Sequence, residues 1–200
     1  MGYIGSGSEN VTAAVYRALP SISSDKDFTK LMNLLNKTDK SDNIKNAQLA
    51  ILNILDESNG KYADAVFTEY EVAEDKSKLL PVLASLSNQE ALELVSQRLS
   101  TGNDSEKVIA LNALSSWKNN DALPYLFKSA TTSTDDAIRK NAFDNYLAKV
   151  RGSDYPDDQK LLLIRKLMPE AKTLAEKKQV LSATRNVKTF LSLIFVSEYL

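Results

Sequence analysis

Two stretches of the chain repeat one another at a fixed distance, and that distance limits what the chain can fold into. Asn103-Asp104-Ser105-Glu106-Lys107, followed by Ala110 and Ala113-Leu114, matches Asp135-Asp136-Ala137-Ile138-Arg139, followed by Ala142 and Tyr146-Leu147, at an offset of 32 residues. The basic slot recurs upstream: Lys45, Lys76, Lys107 and Arg139 follow one another at 31, 31 and 32 residues, and Lys177 lies 38 beyond Arg139. Thr12 holds the same slot 33 residues before Lys45. Six and seven residues past each marker stands a pair that is apolar in the first four units, Ala18-Leu19, Ile51-Leu52, Val82-Leu83 and Ala113-Leu114, and more polar in the last two, Asn145-Tyr146 and Ala183-Thr184. A period of roughly 20–50 residues is the signature of a solenoid or another stacked array.

Each period divides into two helices. The marker-bearing helices are expected at about Glu9–Leu19, Asp42–Asp56, Glu74–Leu86, Asp104–Trp117, Thr134–Val150 and Leu174–Thr184. Partner helices are expected at about Asp25–Asn36, Lys61–Val72, Gln89–Leu99, Asp121–Ala130, Asp157–Met168 and Val187–Leu200. Apolar residues within them recur at three and four, as in Leu31, Leu34 and Leu35 or Leu161, Ile164 and Leu167, which is helical periodicity. Ser24-Asp25, Ser41-Asp42 and Thr134-Asp135 stand where N-caps belong. A lone hairpin of this length cannot cover its own apolar faces, so each unit must bury one against the next. The expected fold is all-α, a right-handed α-solenoid (superhelix) of about six two-helix repeats. The wider spacing before Lys177 places a longer connection at Val150–Pro156.

The succession of an acidic residue, Val or Ile, a basic residue and Ala, clearest in Asp135-Asp136-Ala137-Ile138-Arg139 with Ala142, resembles the second helix of a HEAT-like repeat. Glu90-Ala91-Leu92 and Asp121-Ala122-Leu123-Pro124-Tyr125-Leu126 resemble the first helix of the following unit. Asp75 and Glu106 depart from the pattern, standing where Val or Ile is usual, and only one marker is Arg. A narrower resemblance covers Pro156–Leu200, through Asp158-Gln159-Lys160-Leu161-Leu162-Leu163, Met168-Pro169-Glu170-Ala171 and Ala175-Glu176-Lys177-Lys178-Gln179-Val180-Leu181. It is similar to helical-repeat segments of large exported multidomain bacterial proteins that often neighbour a sugar-active domain of the 3-keto-disaccharide hydrolase type. That resemblance implies a periplasmic or extracellular location and puts any catalysis in a domain beyond these 200 residues.

Composition removes several function classes. The chain has neither His nor Cys, so Ser–His–Asp and Cys–His nucleophiles, disulfides and the common nitrogen and sulfur metal ligands are out of reach. With 25 basic and 26 acidic residues, no global charge excess draws it to nucleic acid. No apolar run approaches the roughly 20 residues of a membrane-spanning helix. Residues 1–8, with three of the six glycines, read as a flexible leader or tag remnant. Residues 9–200 then form one repeat domain, expected to be a fragment of a longer protein.

The remaining candidates are carboxylates and a column of cations. Asp25/Asp27, Asp135/Asp136 and Asp157/Asp158 have the residue type of a glycosidase acid–base pair, but each pair begins an expected helix, where capping and the helix dipole favour negative charge. Asp154, Asp157 and Asp158 could offer oxygens to calcium, though without EF-hand spacing; a solvated loop is the plainer reading. Lys45, Lys76, Lys107, Arg139 and Lys177 should stack one repeat apart. They form either a binding stripe for an acidic partner or a structural ladder paired with Asp42, Asp75, Glu106 and Asp136. Trp117, Tyr125 and Phe127 read as packing residues. The expected function is a non-catalytic scaffold that presents a helical groove to a protein partner or adjacent domain, with no cofactor and no metal. The alternative is an accessory repeat domain of a carbohydrate-active multidomain protein.

Overall fold

The computed structural model describes residues 9–200, so the expected leader at residues 1–8 lies outside the described residues. Those residues form twelve α-helices joined by turns and four short 3-10 segments, with no strand among them. The fold is all-α. It divides into two compact units, one ending at Val95 and the other starting at Ser96, within the sixth helix.

The first unit contains α1 (Glu9–Ile22), α2 (Phe28–Lys37), α3 (Ser41–Glu57), α4 (Ala63–Val72), α5 (Leu80–Leu86) and the start of α6 (Gln89–Thr101). Its central element is α3, which packs against α1, α2 and α5. Ala47, Ala50, Ile51, Ile54 and Leu55 of α3 are buried, a three-and-four spacing that gives the helix a continuous apolar stripe. Leu19 of α1 and Leu31, Met32 and Leu35 of α2 are buried in the same unit. Phe28 stacks on Tyr62 with ring centroids 4.1 Å apart.

The second unit continues with α7 (Asp104–Ser115), α8 (Leu123–Thr132), α9 (Asp136–Gly152), α10 (Asp157–Leu167), α11 (Leu174–Ala183) and α12 (Phe190–Ser197). Here α9 occupies the central place, packing against α7, α8, α10 and α11. Its buried set is Ile138, Arg139, Ala142, Phe143, Tyr146, Leu147 and Val150. The hydroxyl of Tyr146 donates to the Leu163 carbonyl at 3.1 Å, which satisfies the one polar atom of an otherwise apolar contact. Trp117 is buried, as a packing residue should be. Phe127 is half-buried, lying 5.4 Å from Tyr146 with the Lys166 ammonium 4.4 Å from its ring.

The helix expected over Glu74–Leu86 differs most from its sequence pattern. The Asp75 carboxylate accepts from Ser77 N and Oγ at 3.1 and 2.5 Å, winding Lys76–Leu79 into a 3-10 turn. Regular α-helix starts only at Leu80, with Pro81 in its first turn, where a residue without an N–H costs no hydrogen bond. Several connections are likewise tight 3-10 turns: Asp25–Asp27 precedes α2, and Thr184–Asn186 follows α11.

Between α6 and α7 the chain reverses at Gly102. A Cβ added there would lie 2.6 Å from the Arg98 carbonyl oxygen and 2.9 Å from Glu106 Cβ, whereas one added at Gly152 meets nothing within 4 Å. Gly102→Ala should therefore cost about 1–3 kcal/mol by forcing the α6–α7 junction apart. Gly152→Ala, at the end of α9, should change stability by less than about 1 kcal/mol and in the stabilising direction. Urea denaturation of the two variants checks both signs.

Candidate functional site

Three of the five basic markers share one local position. Lys107, Arg139 and Lys177 each stand four residues after an N-cap, namely Asn103 of α7, Asp135 of α9 and Thr173 of α11. These caps are well formed. Asn103 Oδ1 accepts from Glu106 N at 3.0 Å while Glu106 Oε2 accepts from Asn103 N at 2.8 Å. Thr173 and Glu176 make the same reciprocal box, and Asp135 accepts from Ala137 N and Ile138 N.

Identical positions lead to different surroundings. Arg139 is buried, its side chain 6% exposed, and its Nη2 donates to Glu176 Oε1 at 2.5 Å; the Glu176 side chain is 4% exposed. Arg139 Nε also reaches Asp136 Oδ1 at 3.5 Å. Lys107 is half-buried and lies 3.5 Å from Asp104 on its own helix. Lys177 is exposed. At the third helical position α11 has Glu176, which reaches the preceding marker Arg139, whereas α9 has the apolar Ile138 there. Glu106, the equivalent acid of α7, instead lies 3.7 Å from Arg98.

In the first unit Lys45 is exposed on α3, and Lys76 sits in the 3-10 turn with its ammonium 5.0 Å from the Tyr70 ring. The buried cation there is Lys78, 8% exposed and 2.9 Å from Asp39 Oδ1. Lys78 and Glu176 both escape a reading based on the basic marker. Glu176 could have been found as the acid of a capping box, Thr173-x-x-Glu176; Lys78 has no such signal, because it follows from the 3-10 winding of its turn.

The carboxylate pairs are used structurally. Asp25 accepts from Lys61 Nζ at 2.7 Å and from the Tyr62 hydroxyl at 2.6 Å, and these two hydrogen bonds hold its carboxyl below the usual range. Asp27 accepts from Ser24 N and Oγ. Asp157 Oδ2 accepts from Lys188 N at 2.8 Å, and Asp154 Oδ1 accepts from Asn120 Nδ2 at 2.8 Å. Among the described residues no group of three or more acidic side chains is arranged to hold a metal ion.

Each unit carries an open polar cleft between the C-terminal ends of two marker helices. In the first, of about 580 Å³, Pro20, Asp25, Asn53, Glu57 and Lys61 line the walls, and Asn53 Nδ2 donates to the Pro20 carbonyl at 3.1 Å. In the second, of about 630 Å³, Lys118, Asn119, Asn145, Lys149 and Asp154 are among the lining residues, and Lys149 Nζ donates to the Trp117 carbonyl. Asn53 satisfies a carbonyl in the last turn of α1 that has no intrahelical partner, and Lys149 a carbonyl two residues beyond the end of α7. Asn53 and Lys149 are 96 residues apart, three periods of 32. Burial holds the Lys149 ammonium below its ordinary pKa.

A scan against protein-family models and searches of curated proteins and of solved structures each return no match to this chain.

The Arg139–Glu176 pair sets a pH dependence. Burial pushes the Glu176 carboxyl up, but hydrogen bonds from Arg139 and from the Thr173 and Lys172 amides outweigh it, and the net shift is below the ordinary 4.5. The stability contributed is complete above that value and lost as pH falls through the lower folded-state pKa. Glu176→Gln should keep the cap yet strand the guanidinium, costing about 3–5 kcal/mol at neutral pH. Arg139→Met combined with Glu176→Gln should recover most of the loss. Denaturant titrations at neutral pH and below pH 4.5 should show the gap between Glu176→Gln and the parent narrowing with acid.

Proposed function

We propose that the chain is a HEAT-like α-solenoid that acts as a non-catalytic scaffold and binds a protein partner, or an adjacent domain of the same polypeptide, along its inter-helix clefts. The observation that carries this reading is the repeated cleft. A side chain on one marker helix takes a carbonyl at or just beyond the end of the marker helix before it, 32 or 33 residues earlier in sequence, beside a polar hollow in each unit. Supporting the repeat architecture, most long-range polar contacts span about one period, among them Lys40 to Glu9 at 31 residues, Asn36 to Glu69 at 33, Asn120 to Asp154 at 34 and Arg139 to Glu176 at 37. Chains whose units touch only their neighbours present extended surfaces, and such surfaces suit partners with an extended backbone.

The lining of the clefts suits peptide recognition. Asn119, Asn145 and Lys149 offer amide and ammonium donors to carbonyl or carboxylate oxygens, while Glu57 in the other cleft offers an acceptor to basic groups. The acidic lining of the cleft in the first unit disfavours a polyanion there.

Selection of a displayed peptide library against the 200-residue chain tests the reading. Enriched peptides should lose at least about tenfold in affinity, or 1.4 kcal/mol, with Lys149→Ala/Asn145→Ala or with Glu57→Ala/Lys61→Ala. Failure to enrich any peptide, or affinity unchanged in both variants, would remove the clefts as the binding surface. A polyanion such as heparin should bind weakly and without a steep salt slope.

A further inference from the structure

The strongest feature left unused by this reading is α12. Its inner face is seated: Phe195 and Ser192 are buried, the helix packs on α10, and the Arg165 guanidinium lies 5.4 Å from the Phe195 ring. Thr189 caps it by accepting from Ser192 N at 3.1 Å. Its outer face is apolar and open to solvent. Phe190 is 76% exposed, Leu193 68%, Leu191 51% and Ile194 42%, with Tyr199 and Leu200 just beyond.

We infer that this face is a homodimer interface in which α12 pairs antiparallel with α12 of a second copy. Three observations single out a second copy as the occupant. The segment Thr189–Ser197 contains no charged residue, so bringing two copies together sets no like charges against each other. The stripe is also complementary to itself in size. A two-fold axis between Leu193 and Ile194 sets Phe190, the bulkiest side chain, opposite the partner's Ser197, the smallest, and Leu193 opposite the partner's Ile194. The same register sets Lys188 against the partner's Tyr199 and Glu198 against the partner's Thr189, which again avoids a like-charge contact. A two-fold interface requires this reciprocity, in which residue i meets j and j meets i.

Area points the same way. At about 200 Å² for a fully exposed large side chain, the exposures of Phe190, Leu193, Leu191 and Ile194 amount to roughly 470 Å² of surface per copy. A standard interface removes about 800 Å² from each partner, so these four side chains alone supply more than half of what a stable dimer needs. A face of this size is in the range of the largest apolar patch on a typical monomer, which is often a functional one.

Sedimentation velocity and light scattering on the 200-residue chain, from micromolar to hundred-micromolar concentration, test the proposal. The chain should sediment as a dimer. Leu193→Glu should weaken self-association at least about tenfold while leaving the circular dichroism spectrum unchanged, because Leu193 makes little contact within the fold. The absence of native cysteine allows a second, geometric test. Mixed Leu193→Cys and Ile194→Cys chains should oxidise to a mixed disulfide much faster than a pair of Ile22→Cys chains, whose cysteine is exposed on α1 instead. A monomer throughout the concentration range, a dimer unaffected by Leu193→Glu, or cross-linking no faster than the Ile22→Cys control would each overturn the assignment.

Discussion

Each unit depends on one long helix whose apolar surface no single neighbour can cover. The 17-residue helices α3 and α9 bury a broad stripe of side chains along nearly their whole length, and each packs against the marker helix before it, its own hairpin partner and helices that follow. At about 1.5–3 kcal/mol for each fully buried large aliphatic or aromatic side chain, Ile51 and Ile54 in one unit and Phe143 and Leu147 in the other contribute more than any polar contact nearby. Closing that surface demands elements about one period away in sequence. The polar contacts obey the same distance because the helices carrying them have already been brought together.

Buried charge is secondary and selective within this frame. Arg139 and Glu176 pair where the backbone amides of Lys172 and Thr173 also donate to the carboxylate, so the acid is held by three donors on two elements. Such a pair adds little net stability over an apolar substitute of the same shape, but breaking one half of it is costly. Its effect is to fix α11 against α9 in one register. Lys78 and Asp39 make a looser version, since Asp39 is 93% exposed and water screens the interaction.

The outward surface follows from the same packing. Carbonyls at and just beyond helix ends lack intrahelical partners, and where a later helix supplies a donor, as Asn53 and Lys149 do, an open polar hollow lies beside the contact. Where no later helix follows within the described residues, as at α12, an apolar stripe stays open. The clefts and the stripe therefore differ in chemistry for one reason: polar groups at helix ends can be satisfied locally by a single side chain, but an apolar helix face can be covered only by another element.

Much of this was legible in the sequence. The 31–32-residue recurrence and the three-and-four spacing of apolar residues marked the all-α class and placed helices near every observed one, because helix periodicity is local and burial repeats it. Ends were less legible: Asp75 and Pro81 convert the start of one expected helix into a 3-10 turn, a choice made by a side chain competing for backbone amides. The cation column shows the limit most clearly. Lys107, Arg139 and Lys177 occupy one slot relative to their caps, yet one is half-buried, one buried and one exposed. Sequence determined that slot and its charge, since both depend on residues within one turn of the helix. Tertiary structure alone decided which cation was paired and desolvated, because that depends on which residue about one period away faces it, as Glu176 faces Arg139, and on how closely the two helices approach.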